Sequence, residues 1–424
     1  MKFFIQFAQS YLSFRLPELD SLLELNGLNS KDVYSISTYH EESPFLVVDL
    51  PNIDAARAIA SRAVLVKAIY EYWDQADSFD TLIKKMDQYP KDFFDSHKAH
   101  EESWRISIES FGRDIPTTEL HSLYEKFTQH TTISGPVRMK NPVMTITLAF
   151  DYGHIGSVVK QVYLGRFVAN GQRTVANDYD LKKRKYLGPT STCAELSFLM
   201  SNQVLSQRGK IVWDCFAGTG SLLIAATVHG ATCVGTDIDV RVLKGIKKGK
   251  KAESVRSNFE QYKLAFPELI RADLSRLPLL VENRMDGILC DPPYGIRAGA
   301  RKTCSKMGEN PPLEIGEGFI PRTEIYDPDD LIVDLLDMAA RSLVMRGRIS
   351  YLLPTTGVRG VKEVPEHPCL EWVATSQDDL YRDVSRRLIT MRKVKEYRVE
   401  LREEYKKHTR DSIVKYGLSY VDIH

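Results

Sequence analysis

The stretch Asp214-Cys215-Phe216-Ala217-Gly218-Thr219-Gly220-Ser221 is the most informative part of this 424-residue chain. It follows a compact apolar run at 210–215, typical of a buried strand, and precedes an apolar run at 221–229, typical of a helix. Gly218 and Gly220 have no Cβ, so the backbone between the two elements can pass close to a ligand. The stretch predicts a strand, a glycine loop and a helix beside a binding site. The alternative is a tight strand–helix turn that binds nothing.

The residues around the glycine loop indicate which ligand it would hold. Leu223 occupies the position of the third glycine of a dinucleotide fingerprint, which argues against a nicotinamide or flavin pyrophosphate. The acidic Asp214 suits the ammonium group of an amino-acid-bearing cofactor, so we expect S-adenosyl-L-methionine. The cofactor-binding residues expected here are Asp214, Phe216, Ala217, Gly218 and Gly220.

Strands and helices alternate through the rest of the second half. Further strands are predicted at 231–236, 269–272, 287–290 and 348–353. Helices are predicted at 194–205, at 221–229, over a long polar stretch reaching about Tyr262, and at 330–343. This order predicts a mostly parallel, doubly wound sheet with ligands at the carboxyl ends of its strands.

Two more carboxylates follow predicted strands. Asp237, next to Ile238, can accept hydrogen bonds from both hydroxyls of a ribose, whereas Asp239 is the better helix N-cap. Asp273 can accept from an adenine amino group, and Leu274 can pack on the ring. Carboxylates after three successive strands form a pattern that a nucleoside cofactor explains.

The motif Asp291-Pro292-Pro293-Tyr294-Gly295 follows the strand at 287–290. The prolines fix φ and remove two N–H donors, so Asp291 and the Pro292 carbonyl can accept both hydrogens of an exocyclic amine. Tyr294 offers a flat face for an extruded base. The catalytic residues expected are Asp291, Pro292, Pro293 and Tyr294, with Asp291 also beside the cofactor. The alternative is a rigid turn.

The pattern of the first 180 residues predicts a separate α+β or α/β unit, and we expect the α+β class. Strands are predicted at 45–50, 103–110 and 142–149, and helices at 53–73 and 118–130. This part holds 18 Lys and Arg against 24 Asp and Glu, while residues 181–424 hold 39 against 32. Basic clusters in the second part suggest contact with a nucleic acid, although each can equally be a solvated surface. The RNA-binding candidates are Lys182, Lys183, Arg184, Lys185, Arg297, Arg301 and Lys302.

Composition excludes several classes of protein. With 43% hydrophobic and 27% charged residues the chain is an ordinary globular protein, and no apolar run reaches the roughly 20 residues of a membrane span. The start lacks the pattern of a secretory signal. The six cysteines form no Cys-x-x-Cys pair, so we expect no metal site, no disulfide framework and a cytoplasmic location.

Together, residues 186–191, 194–197, 214–221, 235–239 and 291–297 resemble the catalytic subunit of eukaryotic tRNA (guanine-N2-)methyltransferase, which methylates the guanosine at position ten of tRNA. Residues 258–262, 295–301 and 385–390 are also similar to that family. The resemblance implies a Rossmann-like class I methyltransferase fold and cofactor contacts from Thr190 and Ser191. It also implies an RNA-binding THUMP domain and a small zinc-binding activator protein as partner. One departure is Ser191-Thr192-Cys193, where the family tends to carry Ser-Met-Asp.

The resemblance gives a division of the chain and leaves two other functions open. The expected parts are an N-terminal α+β subdomain at 1–62, a THUMP-like domain at 63–178, a linker at 179–193 and a methyltransferase domain at 194–424. The first alternative function is an N6-adenine nucleic-acid methyltransferase, because the Asp291 motif can accept from any exocyclic amine. The second is a catalytically silent RNA-binding assembly protein that keeps the fold.

Overall fold

The computed structural model describes most of the chain. The described residues are 1–98, 102–131, 133–154, 156–189, 191–247, 250–251, 253–277, 282–293, 299–304, 323–356, 363–381 and 384–415. The chain forms two compact units, Met1–Arg15 with Leu22–Arg173 and Leu16–Ser21 with Thr174–His424. Within the described ranges, no helix has the length and apolar character that a membrane crossing requires.

The first unit is built on a six-stranded mixed sheet. Its strands are β1 (Lys2–Phe7), β2 (Phe45–Asp49), β3 (Val66–Ala76), β4 (Trp104–Phe111), β5 (Met144–Asp151) and β6 (Gln161–Asn170). They lie in the order β2-β1-β3-β6-β5-β4, and β4 and β5 are parallel while the other neighbours are antiparallel. The helices in this part of the chain are α1 (Arg15–Leu25), α2 (Ser30–Val33), α3 (Ile53–Ala60), α4 (Phe79–Met86) and α5 (Thr117–Gln129). Residues Leu16–Ser21 of α1 belong to the second unit. The predicted α+β class is confirmed.

The helix predicted at 53–73 is wrong in its second half. Asn52 caps α3 by accepting from the Ala55 N–H at 2.9 Å, but the helix ends at Ala60. The chain then enters β3, which is rich in branched and aromatic side chains and pairs with β1 on one side and β6 on the other. Pairing on both sides outweighs the helical spacing of the apolar residues.

The second unit contains a seven-stranded sheet. Its elements begin with helix α6 (Arg173–Asp178), helix α7 (Ala194–Gln203), strand β7 (Ile211–Asp214), helix α8 (Ser221–Val228), strand β8 (Thr232–Asp237), helix α9 (Val240–Lys244), strands β9 (Ile246–Lys247) and β10 (Lys250–Lys251) and helix α10 (Val255–Gln261). They continue with strands β11 (Glu268–Arg271), β12 (Met285–Cys290), β13 (Arg301–Thr303) and β14 (Thr323–Ile325), helix α11 (Pro328–Ser342), strands β15 (Leu343–Thr356), β16 (Leu370–Tyr381) and β17 (Val384–Lys393), and helix α12 (Arg402–Lys415).

The sheet order is β11-β8-β7-β12-β15-β17-β16. The five strands from β11 to β15 are parallel, and β17 and β16 are antiparallel to their neighbours. The order reverses between β7 and β12, where a doubly wound sheet binds its ligands. The predicted mostly parallel sheet is confirmed, with β7 at its centre.

The long polar helix predicted up to Tyr262 is interrupted. Asp239 caps α9, which ends at Gly245 in the left-handed region at φ +65°. A short antiparallel hairpin of β9 and β10 follows, and Ser254 then starts α10 with a capping box. The glycine supplies the conformation that ends the first helix, which the polar composition of the stretch does not reveal.

The glycine loop depends on close packing as well as on backbone freedom. Gly220 lies at φ +80°, and a Cβ on it would approach Val255 Cγ1 to 2.9 Å. Gly209, in the loop before β7, has a similar φ of +85° but open space around the Cβ position. A side chain at Gly209 would therefore be penalised only for its backbone conformation. A side chain at Gly220 would also collide with Val255.

We expect Gly209→Ala to lower the free energy of unfolding by about 1 kcal/mol, because only the left-handed conformation is penalised. Gly220→Ala should cost roughly 1–3 kcal/mol more, since the new methyl group also meets Val255. Urea unfolding followed by circular dichroism measures both. Equal losses would show that α10 does not pack against the loop as described.

Candidate active site

Asp214 lies at the end of the central strand β7 and is only 1% exposed. Its carboxylate accepts from the Phe216 N–H at 3.0 Å. Burial raises the pKa of Asp214 well above its usual range, and the charges of Asp237 and Asp291 raise it further. A buried carboxylate of this kind is stabilised by a cation, and within the described part of the chain no Lys, Arg or His side chain forms an ion pair with it.

Asp237 ends the neighbouring strand β8 and ties it to the glycine loop. One carboxylate oxygen accepts from the Gly218 N–H at 2.9 Å and the other from the Asp239 N–H at 2.8 Å. Burial raises the pKa of Asp237 despite these bonds. Asp239 acts as the expected N-cap, accepting from the Arg241 N–H at 2.9 Å, and its bond to the Arg241 side chain lowers its pKa.

Asp291 follows β12, on the other side of β7. The Thr192 hydroxyl donates to its carboxylate at 3.1 Å, and Thr192 is itself only 6% exposed. Pro292 is buried and Pro293 is half-buried. Asp214, Asp237 and Asp291 thus lie at the same carboxyl edge of the sheet, as expected from the order of the strands.

A connecting segment, residues 182–189 and 191–192, runs beside the glycine loop. Asn258 on α10 is fully buried, and its side-chain amide accepts from the Tyr186 N–H at 2.9 Å and donates to the Tyr186 carbonyl at 2.8 Å. Ser191 Oγ accepts from the Gly188 N–H at 3.0 Å and lies 2.7 Å from Thr219 Oγ1 in the loop. The segment is therefore held at both ends.

Thr192 and Asn258 were not among the residues expected from the sequence. Thr192 carries no motif signal of its own, whereas Asn258 belongs to the run 258–262 that is similar to the family. The roles of both follow only from the residues they contact, Asp291 and Tyr186.

Asp273 is more heavily engaged than the sequence suggests. It accepts from the N–H and hydroxyl of Ser275 and, through its other oxygen, from the Thr303 N–H at 2.6 Å. It therefore caps a short turn of helix and fixes strand β13. Leu274 is half-buried and packs on the apolar core of the sheet, as does Phe216.

The basic candidates differ in their surroundings. Lys182, Lys183 and Lys185 are exposed, and the expectation of RNA contact stays a prediction for them. The expectation for Arg184 is corrected, because that side chain is only 7% exposed and donates to the Ser221 hydroxyl and the Tyr179 carbonyl. Burial lowers the pKa of Arg184. Its contacts support the helix that follows the glycine loop.

Arg301 is exposed and donates to Thr323 across the β13–β14 hairpin, and Lys302 lies over the Tyr326 ring. Their predicted RNA contacts also stay predictions. Thr190, Tyr294 and Arg297, three further residues expected at the site, lie outside the described part of the chain.

The acidic side chains and the glycine loop fit S-adenosyl-L-methionine. Asp214 and Asp237 supply buried negative charge for a molecule that carries an ammonium and a sulfonium group. Gly218 lies at φ +50°, and the nearest atom to its Cβ position is 3.8 Å away, so a ligand can approach the backbone there. Ala217 is buried beside it, and Ile238 is half-buried after Asp237.

Comparisons with known proteins agree with this arrangement. A family model described as the Tmrp11 THUMP N-terminal domain matches residues 1–173, and one described as an RMKL-like methyltransferase domain matches residues 182–310. The chain is 34% identical to tRNA (guanine(10)-N(2))-methyltransferase TRMT11 of Bos taurus over 423 residues, covering 95% of this chain and 90% of the relative. The chain belongs to the tRNA (guanine(10)-N(2))-methyltransferase family.

Two further matches differ in sequence identity and coverage. The tRNA (guanine(10)-N(2))-methyltransferase of Schizosaccharomyces pombe is 34% identical over 358 residues, covering 83% of this chain and 74% of the relative. The crystal structure of TrmN from Thermus thermophilus covers 93% of this chain and all of that one, with 15% identity and a TM-score of 0.46. The predicted S-adenosylmethionine-dependent methyltransferase is confirmed by the family.

For this tRNA (guanine(10)-N(2))-methyltransferase family member we expect Asp214→Asn to weaken cofactor binding about 10-fold or more, because a charged hydrogen-bond acceptor is lost. The variant should nevertheless unfold at the same temperature as the parent or higher near pH 8. Because folding raises the pKa of the Asp214 carboxyl, the folded protein is destabilised as the pH rises through that pKa and the buried group ionises. Asparagine does not ionise, so the variant avoids this destabilisation.

Asp239→Asn is the matched control, because the pKa of Asp239 is lowered by Arg241. This variant should lose stability at neutral pH and keep cofactor binding. Thermal unfolding between pH 5 and pH 8, with and without S-adenosylhomocysteine, separates the two. A large destabilisation of Asp214→Asn at pH 8 would contradict the account.

Proposed function

We propose that this chain is the catalytic subunit that transfers the methyl group of S-adenosyl-L-methionine to the exocyclic N2 amine of guanosine at position ten of tRNA. The observation that carries the proposal is the Asp291 carboxylate, held by Thr192 at the same edge as the buried Asp214. Relatives matched over 90% and 74% of their lengths support the choice of guanosine over the adenine and silent alternatives.

Asp291 and the Pro292 carbonyl would hold the amine. Each N–H of the amine points at one acceptor, which directs its lone pair away from them and towards the cofactor side of the pocket. Pro292 and Pro293 have no N–H, so this part of the backbone offers no competing donor. When bound, S-adenosylmethionine supplies the electrophilic methyl group. Asp291 stabilises the positive charge that develops on the nitrogen and can receive a proton from it afterwards.

The remaining site residues are assigned to cofactor binding. Asp214 faces the ammonium group and Asp237 the ribose hydroxyls, each as an acceptor at the end of its strand. Asp273 and Leu274 border the adenine, although the bonds to Ser275 and Thr303 leave Asp273 little further acceptor capacity. The other cofactor contacts proposed are Thr190, Ser191, Phe216, Ala217, Gly218, Gly220 and Ile238, and Tyr294 is proposed as the surface on which the base stacks.

The N-terminal unit is proposed to bind the tRNA. Support comes from the THUMP family model over residues 1–173, and we keep the division into 1–62, 63–178, 179–193 and 194–424 as part of the proposal. Exposed lysines of the connecting segment and the side chains of Arg297, Arg301 and Lys302 would add phosphate contacts. By resemblance, we also propose a small zinc-binding activator protein as partner and a cytoplasmic location.

We expect Asp291→Ala to lower kcat by about 100- to 1,000-fold, the loss typical of removing one group that stabilises charge in a transition state. The cofactor Kd should change less than about 3-fold. Single-turnover assays on unmodified tRNA, followed by nucleoside analysis, measure the effect. Glu282→Ala, which removes an exposed carboxylate just before the same strand, is the control and should keep a rate near the parent's. Turnover of Asp291→Ala near the parent's rate would refute the assigned role.

We expect Lys182, Lys183 and Lys185 changed together to alanine to raise the KM for tRNA with little change in kcat. The slope of log affinity against log salt should fall by about one for each phosphate that the variant no longer neutralises. The fold of the segment should survive, because Gln261 bonds the Lys185 N–H at 3.0 Å and the Lys183 carbonyl at 2.7 Å, not their side chains.

The exposed Lys395 and Lys407 changed together serve as the control for the removal of surface charge. This double variant should keep the parent's KM and salt slope. A triple variant of the connecting segment with an unchanged salt slope would remove these lysines from the proposed RNA surface.

A further inference from the structure

Arg386 on β17 shares a face of the sheet with Asp291. Strand β12 pairs with β15 so that Cys290 lies beside Tyr351, and β15 pairs with β17 so that Pro354 lies beside Arg386. Side chains alternate along a strand, and Pro354 is three residues beyond Tyr351, so it lies on the opposite face from Tyr351 and Cys290. Asp291, one residue after Cys290, therefore faces the same way as Arg386.

Helix α7 covers this face and brings the connecting segment to the same place. Gln203, at the end of the helix, accepts from the hydroxyl of Thr390, which is four residues from Arg386 on the same side of β17. At the other end of the helix, Thr192 donates to Asp291. The space above Asp291 at the carboxyl edge is thus bordered by Thr192 on one side and by the strand carrying Arg386 on the other.

The Arg386 guanidinium is held from one side only. Its Nε donates to Asp378 Oδ2 at 2.8 Å, and the two residues are cross-strand partners whose side chains are 22% and 16% exposed. Among described residues, Asp378 is its only hydrogen-bond partner, and a guanidinium carries five N–H donors. Burial lowers the pKa of Arg386, but Asp378 and the charge of Asp291 raise it above its usual value. The group is a fixed cation with donors to spare.

The acceptors at Asp291 do not by themselves distinguish guanine from adenine. The Watson–Crick edge of guanine carries the N2 amine and the N1–H as donors and O6 as an acceptor, whereas adenine has an amine where guanine has O6. A site of acceptors alone suits either amine. Reading O6 requires a donor, and arginine is the side chain that most often reads a guanine acceptor.

We propose that Arg386 is a specificity-determining residue of the acceptor pocket: held by Asp378, it donates a hydrogen bond to O6 of the guanine whose N2 amine faces Asp291. This inference rests on the proposed function. An adenine in the same place would bring its N6 amine against the guanidinium. Both groups carry N–H donors, so no hydrogen bond could form between them. The Asp378–Arg386 pair would then reject adenine, while Asp291 activates the amine of guanine.

The test pairs a protein change with a base change. Full-length chain, co-expressed with its proposed small partner, is assayed on tRNA carrying either guanosine or 2-aminopurine riboside at position ten. 2-Aminopurine keeps the amine and lacks O6. It also lacks the N1–H, but that loss affects parent and variant proteins alike and cancels in the comparison.

We expect the parent to prefer guanosine by roughly 10- to 100-fold in kcat/KM, the discrimination typical of a good arginine–guanine contact. Arg386→Ala should lower the guanosine rate and reduce the parent's preference by roughly 10-fold or more, leaving only the part due to the N1–H, and Arg386→Lys should fall between. Unchanged cofactor binding shows that the variants are folded. Arg392→Ala is the matched control, because Arg392 lies on the same strand and pairs with Glu371 in the same way at its other end. It should keep the parent's preference.

Two results would overturn the proposal. Arg386→Ala could slow both substrates equally and keep the preference, as a purely structural or phosphate-binding role would require. The parent could also fail to distinguish the two bases. A parent protein inactive on the guanosine tRNA itself would instead refute the proposed function, and with it this inference.

Discussion

The arrangement of the second unit depends on negative charge concentrated at one edge of its sheet. Asp214, Asp237 and Asp291 end three adjacent strands, and burial of Asp214 and Asp237 makes their ionised forms costly. A protein keeps such an arrangement when a ligand compensates the charge. A sulfonium cofactor with an ammonium group does so, which links the stability of the fold directly to the chemistry of the site.

The surrounding structure holds these carboxylates in place. Gly218 and Asp239 donate backbone bonds to Asp237, and Thr192 donates to Asp291 from the connecting segment. The same segment is anchored on α10 by Asn258. The connecting segment therefore contacts both the glycine loop and Asp291. We expect a substitution at either of these two places to shift the position of the other.

Local patterns predicted the parts of the structure that local forces determine. Residues 214–221 predicted a strand, loop and helix, because the apolar runs and glycines that flank a loop act within a few residues. The helix at 53–73 and the long polar helix were wrong where distant pairing and Gly245 prevailed. The site residues likewise divide into those predictable from local sequence and those fixed by tertiary packing. Strand-end carboxylates were visible in the sequence, but the burial of Arg184 and the contact of Thr192 with Asp291 depend on tertiary packing.

The central claim, that the site's buried carboxylates are compensated by a cationic cofactor, is tested most directly by proton linkage. Titration calorimetry of S-adenosylmethionine binding between pH 5 and pH 7, repeated in buffers with different ionisation enthalpies, counts the protons exchanged. Because the pKa values of Asp214 and Asp237 are raised in the free protein, binding should release protons as the cation favours the ionised carboxylates. Binding with no proton exchange, or with proton uptake, across this range would contradict the account.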